Sequence, residues 1–285
     1  VPLWFLAVSS VLNIILDIWF VAGINRGVGG AAEATVIAQA VSGIGIAGYT
    51  ILKVPFLRLK KEHMHMERET LNRVVQYSML TCAQQSVMNF GILMIQGLVN
   101  SFGTVIMAAF AVAVKIDTLA YMPAQEFGNA FSLFISQNYG AKRYDRIRKA
   151  SGLAVKVSAG FCVAVSVLVW IFAAPLIRIF LSGAEPEIVC AGVHYLHIEG
   201  AFYWGIGCLF LLYGLYRGIE RPVMSLILTV LSLGTRVALA YLFAPMPQFG
   251  VSAIWWAIPV GWILADLAGF LYYKRIRNRL GAQHD

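Results

Sequence analysis

TVIMAAFAVAVKIDTLAYMPAQEFGNAFSLFIS, residues 104–136, is an apolar run interrupted at its centre by Lys115, Asp117, Pro123, Gln125 and Glu126. At 1.5 Å of rise per residue, the run is long enough for a helix to cross the ~30 Å hydrocarbon core of a bilayer. An ionisable side chain facing lipid at mid-membrane costs ~2.5–3.5 kcal/mol even on the lenient insertion scale. Several on one helix must therefore face protein or water. The stretch predicts a membrane helix with a polar inner face.

The rest of the chain has the same character. Of 285 residues, 59% are hydrophobic and 13% are charged, against roughly 25% charged in a soluble domain. Mean hydropathy is +0.73. Apolar segments occur at about 3–22, 30–54, 74–99, 104–137, 152–181, 188–216, 223–244 and 250–273. The predicted fold class is an all-α integral membrane protein, a polytopic bundle of eight transmembrane helices. Its first segment begins at Val1 without a Met or a signal-peptide layout, as expected of a piece of a longer protein. The cysteines (Cys82, Cys162, Cys190 and Cys208) lack C-x-x-C spacing and fit small packing residues.

Basic residues set the orientation. Arg58, Lys60, Lys61, Arg68 and Arg73 follow the second span; Lys142, Arg143, Arg146, Arg148 and Lys149 follow the fourth. Arg217 and Arg221 follow the sixth, and Lys274, Arg275, Arg277 and Arg279 the eighth. Alternate loops hold little beyond Arg26 and Arg178. By the positive-inside rule the even-numbered loops and the C-terminus are cytoplasmic. The net charge of +8 is thus topological, and clusters that alternate with spans do not suit a nucleic-acid partner.

The charged stretch FLRLKKEHMHMERETLNRV, with His63 and His65, divides the chain. Residues 1–54 form two helices, 55–73 a cytoplasmic linker, and 74–285 a six-helix lobe with a short tail. INRGVGGAAEA after the first span resembles MPQFGVSAIWW after the seventh, a weak internal repeat of the kind found in transporter folds. In HYLHIE, His194 and His197 share a helix face while Glu199 points away, so a zinc site is not expected there.

Polar side chains run in stripes. Thr118, Tyr121, Gln125, Asn129, Ser132 and Ser136 recur at spacings of 3, 4, 4, 3 and 4, with Asp117 on one flank and Lys115 and Glu126 on the other. The preceding span carries Ser78, Cys82, Gln85, Asn89, Gln96 and Asn100 on one face. Hydrogen bonds holding the bundle together account for one or two such residues. Two stripes point to a hydrated cavity, lined by Gln85, Asn89, Tyr121, Gln125 and Asn129, in which Asp117 and Glu126 attract cations. Pro123 predicts a kink.

In the first two spans, counting outward from Arg26 puts Asp17 level with Thr35 and Asn13 level with Gln39. Asn13 and Asp17 share a face at i, i+4, as do Thr35 and Gln39. Four oxygen-bearing side chains then converge inside the membrane, in a set that suits Na⁺ or H⁺. A structural clamp between two helices is the other reading.

NIILDIWF, GVGGAAEATVIAQAVSG, VNSFGTVIMAAFAVAVKID, FISQNYGAKRYDRIRKA and YGLYRGIERP together resemble the multidrug and toxic compound extrusion (MATE) transporters. The resemblance implies a two-lobe, twelve-helix transporter of which this chain supplies helices five to twelve. It implies export of amphipathic, often cationic small molecules in exchange for Na⁺ or H⁺, with no other cofactor, no enzymatic activity, and a place in the bacterial inner membrane. Asn13, Asp17 and Thr35 match the family's N-lobe cation site, and a Na⁺ there is the one metal expected. Some members have acids in helices seven and ten; LTCAQQSVMNFG and WGIGCLFLLYG lack one. A monomer is expected. A lipid-linked saccharide flippase of the same superfamily would need a more cationic cavity than Lys115, Lys156 and Arg236 offer. An intramembrane transferase or protease would need a motif such as H-E-x-x-H, which the sequence lacks. A membrane scaffold would not need polar stripes on several helices.

Overall fold

The computed structural model describes residues 2–55, 67–181 and 185–281, with side chains as far as Ile276. Among these residues the secondary structure is helical. Helix α1 (Pro2–Asp17) continues as a π-helix (Ile18–Gly23), and α2 spans Gly27–Lys53. Then come α3 (Arg68–Asn100), α4 (Thr104–Gly140), α5 (Tyr144–Phe180), α6 (Pro186–Gly200), α7 (Tyr203–Gly218), α8 (Pro222–Phe243) and α9 (Gly250–Gly281). The chain divides into two compact units, Val1–Leu71 and Asn72–Asp285. The linker histidines His63 and His65 lie outside the described residues.

Among the described residues, six helices are long and apolar enough to cross a membrane, and α6 with α7 passes as one span bent by 52°. Helix α3 carries charged first turns and a polar stripe and does not pass that test. The sixth apolar segment is thus two half-helices. Turn-like bonds from Phe202 N to Glu199 O (3.0 Å) and from Gly205 N to Phe202 O (2.8 Å) make the break. α4 runs as one helix through Pro123, so the expected kink does not interrupt it. The interrupted helix is α5, where Phe172 leaves helical geometry (φ −101°, ψ 15°). Pro175, three residues on, lacks the N–H that would bond the preceding turn.

In the first unit, Gly30, Ala34, Ala38 and Ser42 are the buried residues of α2. This four-residue spacing of small side chains lets two helices approach closely. Ser9 Oγ donates to Ala38 O across the seam (2.8 Å).

In the second unit, α7 is buried around nearly its whole circumference. Its closest neighbour is α4. A Cβ on Gly128 would stand 2.8 Å from the Phe210 carbonyl oxygen. One on Gly214 would strike the Gly128 carbonyl, and one on Gly218 would lie 2.8 Å from the Ser132 carbonyl. The backbones touch, which only small residues allow. A stacked and T-shaped aromatic group, Phe110, Tyr195 and Trp255, fills the core between α4, α6 and α9. Gly27 (φ 57°) and Gly250 (φ 50°) open α2 and α9 in the left-handed region.

Gly214→Ala should therefore destabilise the lobe by about 1–3 kcal/mol, whereas Gly160→Ala, with open space at its Cβ, should not. Thermal midpoints of the full-length protein in detergent check this. Equal midpoints for the two variants would contradict the contact.

Candidate functional site

In the first unit, Asn13 Nδ2 donates to Thr35 Oγ1 (3.4 Å), and Thr35 Oγ1 donates to Ala31 O (3.0 Å). The Asn13–Thr35 and Ser9–Ala38 pairs centre at or just before Ile24, not at Arg26. The count from Arg26 assumed a regular helix up to the turn. The π-helix, with its wider i to i+5 bonding, breaks that assumption. Thr35 is therefore opposite Asn13, one turn from the level expected. Asp17 ends α1, with Oδ1 buried and unpartnered among the described residues. Gln39 is exposed. Asn13 and Thr35 are brought together, with Asp17 one turn beyond Asn13 on the same face.

In the second unit, Asp117 of α4 has a different environment from the one expected. Asp117 is 2% exposed, on the face that also buries Ala113, Ile116 and Ala124. It is not on an open cavity wall. The Tyr203 hydroxyl, at the start of α7, donates to Asp117 Oδ1. Glu199, 3% exposed, sits at the end of α6 with its carboxyl close to that of Asp117. Arg236 on α8 is the cation acting on both acids, and Tyr121, one turn beyond Asp117, adjoins them. Asp117 Oδ2, Glu199 Oε2 and Arg236 Nε are buried without hydrogen-bond partners among the described residues. Four elements thus converge on a polar core: α4, α6, α7 and α8.

Glu199 corrects the expectation that the tenth helix of the family fold lacks an acid here. The break hid it. WGIGCLFLLYG is only the second half of that span, and Glu199 ends the first. His197 turns elsewhere, stacking on Trp170 at 4.8 Å between ring centroids and bonding Trp170 O at 3.1 Å.

The stripe residues are distributed differently. Gln85 and Asn89 are exposed on α3, while Gln84 beside them faces α8. Gln84 Nε2 donates to Thr229 Oγ1 (3.0 Å), and Ser225 Oγ donates to Gln84 Oε1 (2.9 Å). Tyr121 and Gln125 are half-buried, and Glu126 and Asn129 exposed. Arg217 Nη2 donates to Asn129 Oδ1 (3.0 Å), and Asn129 Nδ2 donates to Glu126 Oε2 (3.4 Å). The Asn129 amide, eleven residues before the end of α4, therefore links α4 to the last turn of α7. Asp266 on α9, 5% exposed with both carboxyl oxygens unpartnered among the described residues, is another buried acid that periodicity did not single out.

A multi-pass helical bundle with ionisable groups gathered in its interior is a membrane protein with polar work inside the bilayer. The MatE family model matches residues 78–242, more than half of the chain, and the chain belongs to that family, the MATE family. It is similar to the probable multidrug resistance protein YpnP of Bacillus subtilis, 29% identical over 96% of this chain and 60% of the relative. It is also similar to the probable multidrug resistance protein NorM of Thermotoga maritima, 25% identical over 89% of this chain and 55% of the relative. A solved structure, the outward-facing conformation of a multidrug resistance MATE family transporter, superposes with a TM-score of 0.90. That structure is 23% identical over 98% of this chain and 62% of its own, and it shows the fold. The chain thus spans about three fifths of the length of these relatives.

The Gln84–Gln85 pair gives a sharp test of which α3 face meets water. In a Cys-free full-length protein, Gln85→Cys and Asn89→Cys should react with a water-soluble thiol reagent roughly tenfold faster than Gln84→Cys or Phe131→Cys. Equal rates at 84 and 85 would contradict the assignment.

Proposed function

We propose that the full-length protein is a cation-coupled antiporter that exports amphipathic, cationic small molecules by alternating access. The observation that carries this reading is the group of Asp117, Glu199 and Arg236 in the core of the second unit. With both carboxyls ionised, two carboxylates against one guanidinium would leave one negative charge in excess inside the membrane. Such a charge is tolerated there only with a compensating ion. A mobile Na⁺ or H⁺ supplies that compensation, and its binding and release give the lobe two states of different charge. Asp117 thereby passes from the role of cation attractor on a cavity wall to that of coupling group.

Asp17, with Asn13 and Thr35, is the corresponding candidate in the first unit, and Gln39, one turn along α2 from Thr35, its exposed neighbour. Gln85, Asn89, Tyr121, Gln125 and Asn129 line the substrate route in this reading, with Glu126 drawing cations toward it. Multidrug resistance proteins among the relatives support drug-like substrates. The alternating basic loops and bacterial relatives support a bacterial cytoplasmic membrane with the C-terminus inside.

Proteoliposomes with imposed Na⁺ or pH gradients test the proposal. Asp17→Asn and Glu199→Gln should each lower ion-driven export roughly tenfold or more, while substrate counterflow without a gradient persists. Full ion-driven export by both well-folded variants would overturn it. Loss of counterflow together with export would assign these residues to folding or substrate binding instead.

A further inference from the structure

A groove of about 350 Å³ opens where α5, α7 and α9 meet, away from the Asp117 group. Its floor is apolar and comes from α7, with Leu211 and Leu215. One wall is α9 at Tyr273; the other is α5, with Arg148, Gly152 and Lys156. The lining holds two cations and no acid, and neither cation has an acidic partner among the described residues.

The two cations differ in depth. α5 leaves the basic turn at Arg143 and α9 runs toward Lys274 and Arg275, so Arg148 and Tyr273 mark the basic end of the groove. By the positive-inside rule this end faces the cytoplasm. Lys156 lies eight residues further along α5, about 12 Å deeper at 1.5 Å per residue. An ammonium at that depth either extends its stem toward the headgroup level or takes a counter-ion from its surroundings. Between the cations the wall is bare: a Cβ on Gly152 would meet nothing within 4 Å. Ser151 offers no donor, since its hydroxyl already donates to Ile147 O (2.7 Å).

We propose that this groove is a binding site for one anionic phospholipid. Arg148 and Lys156 hold the headgroup phosphate, and an acyl chain passes Gly152 to lie over Leu211 and Leu215. Charge complementarity selects the occupant. Basic pockets between transmembrane helices on the cytoplasmic side recognise anionic headgroups, whereas the cationic end of a zwitterionic headgroup would be repelled here.

Full-length protein in detergent, titrated with phosphatidylglycerol or phosphatidylcholine and read by native mass spectrometry, tests the site. Phosphatidylglycerol should be retained roughly tenfold more tightly, a difference of about 1.4 kcal/mol. The Arg148→Ala/Lys156→Ala double variant should lose that preference. Gly152→Leu, which fills the groove and keeps both charges, should lose the lipid. Arg178→Ala, outside the groove, should behave as wild type. Equal retention of the two lipids, a preference that survives the double variant, or unchanged binding in Gly152→Leu would each overturn the proposal. Inorganic phosphate that displaces phosphatidylglycerol at equal concentration would also overturn it, by showing an anion site without a lipid chain.

Discussion

The backbone-to-backbone contact of α4 with α7 organises the second unit. Gly128 with Ser132 on α4 and Gly214 with Gly218 on α7 are pairs of small residues four apart, and each pair meets the other helix's carbonyls. In lipid there is no hydrophobic drive between helices, so close van der Waals packing of this kind holds them together. The register is constant along the contact. Tyr203 is 86 residues after Asp117, and the same offset relates Gly214 to Gly128 and Gly218 to Ser132. The helices therefore run parallel, and the glycine contact fixes which α7 residue stands opposite Asp117.

The polar core depends on that alignment. A phenol hydroxyl reaches Asp117 because α7 begins at Tyr203, and α7 begins there because the span breaks after Glu199. The same break turns Glu199 inward, bringing a second carboxyl to the first. Arg236 arrives from α8, which packs on α9 and α7 and is tied to α3 through Gln84, Ser225 and Thr229. Each of these groups would be costly in lipid. Together they form a compact ionisable centre enclosed by apolar residues.

Much of the fold was legible in the sequence, because eight apolar stretches and alternating basic loops are strong signals. Lys115 and Glu126, expected on the flank of the polar stripe opposite Asp117, are exposed on α4. Other features were not legible, for identifiable reasons. A helical wheel assumes one continuous helix, so the break after Glu199 and the π-helix after Asp17 shifted the partners drawn from counting. Gln84 and Gln85 are adjacent and chemically identical; only the position of α8 decides which one is bonded. Asp117 was recognised as a flank of the polar stripe, but periodicity alone could not show that Tyr203 would cover it.

Asp117 and Gly128 are eleven residues apart, as are Tyr203 and Gly214, and eleven residues are close to three helical turns. Inserting or deleting a single residue in either interval would rotate its acid or phenol by about 100° relative to the glycine seam. Loop insertions would leave both intervals untouched. Length variation among descendants of this sequence should therefore fall between helices, while these two intervals keep their length even as most of their side chains change.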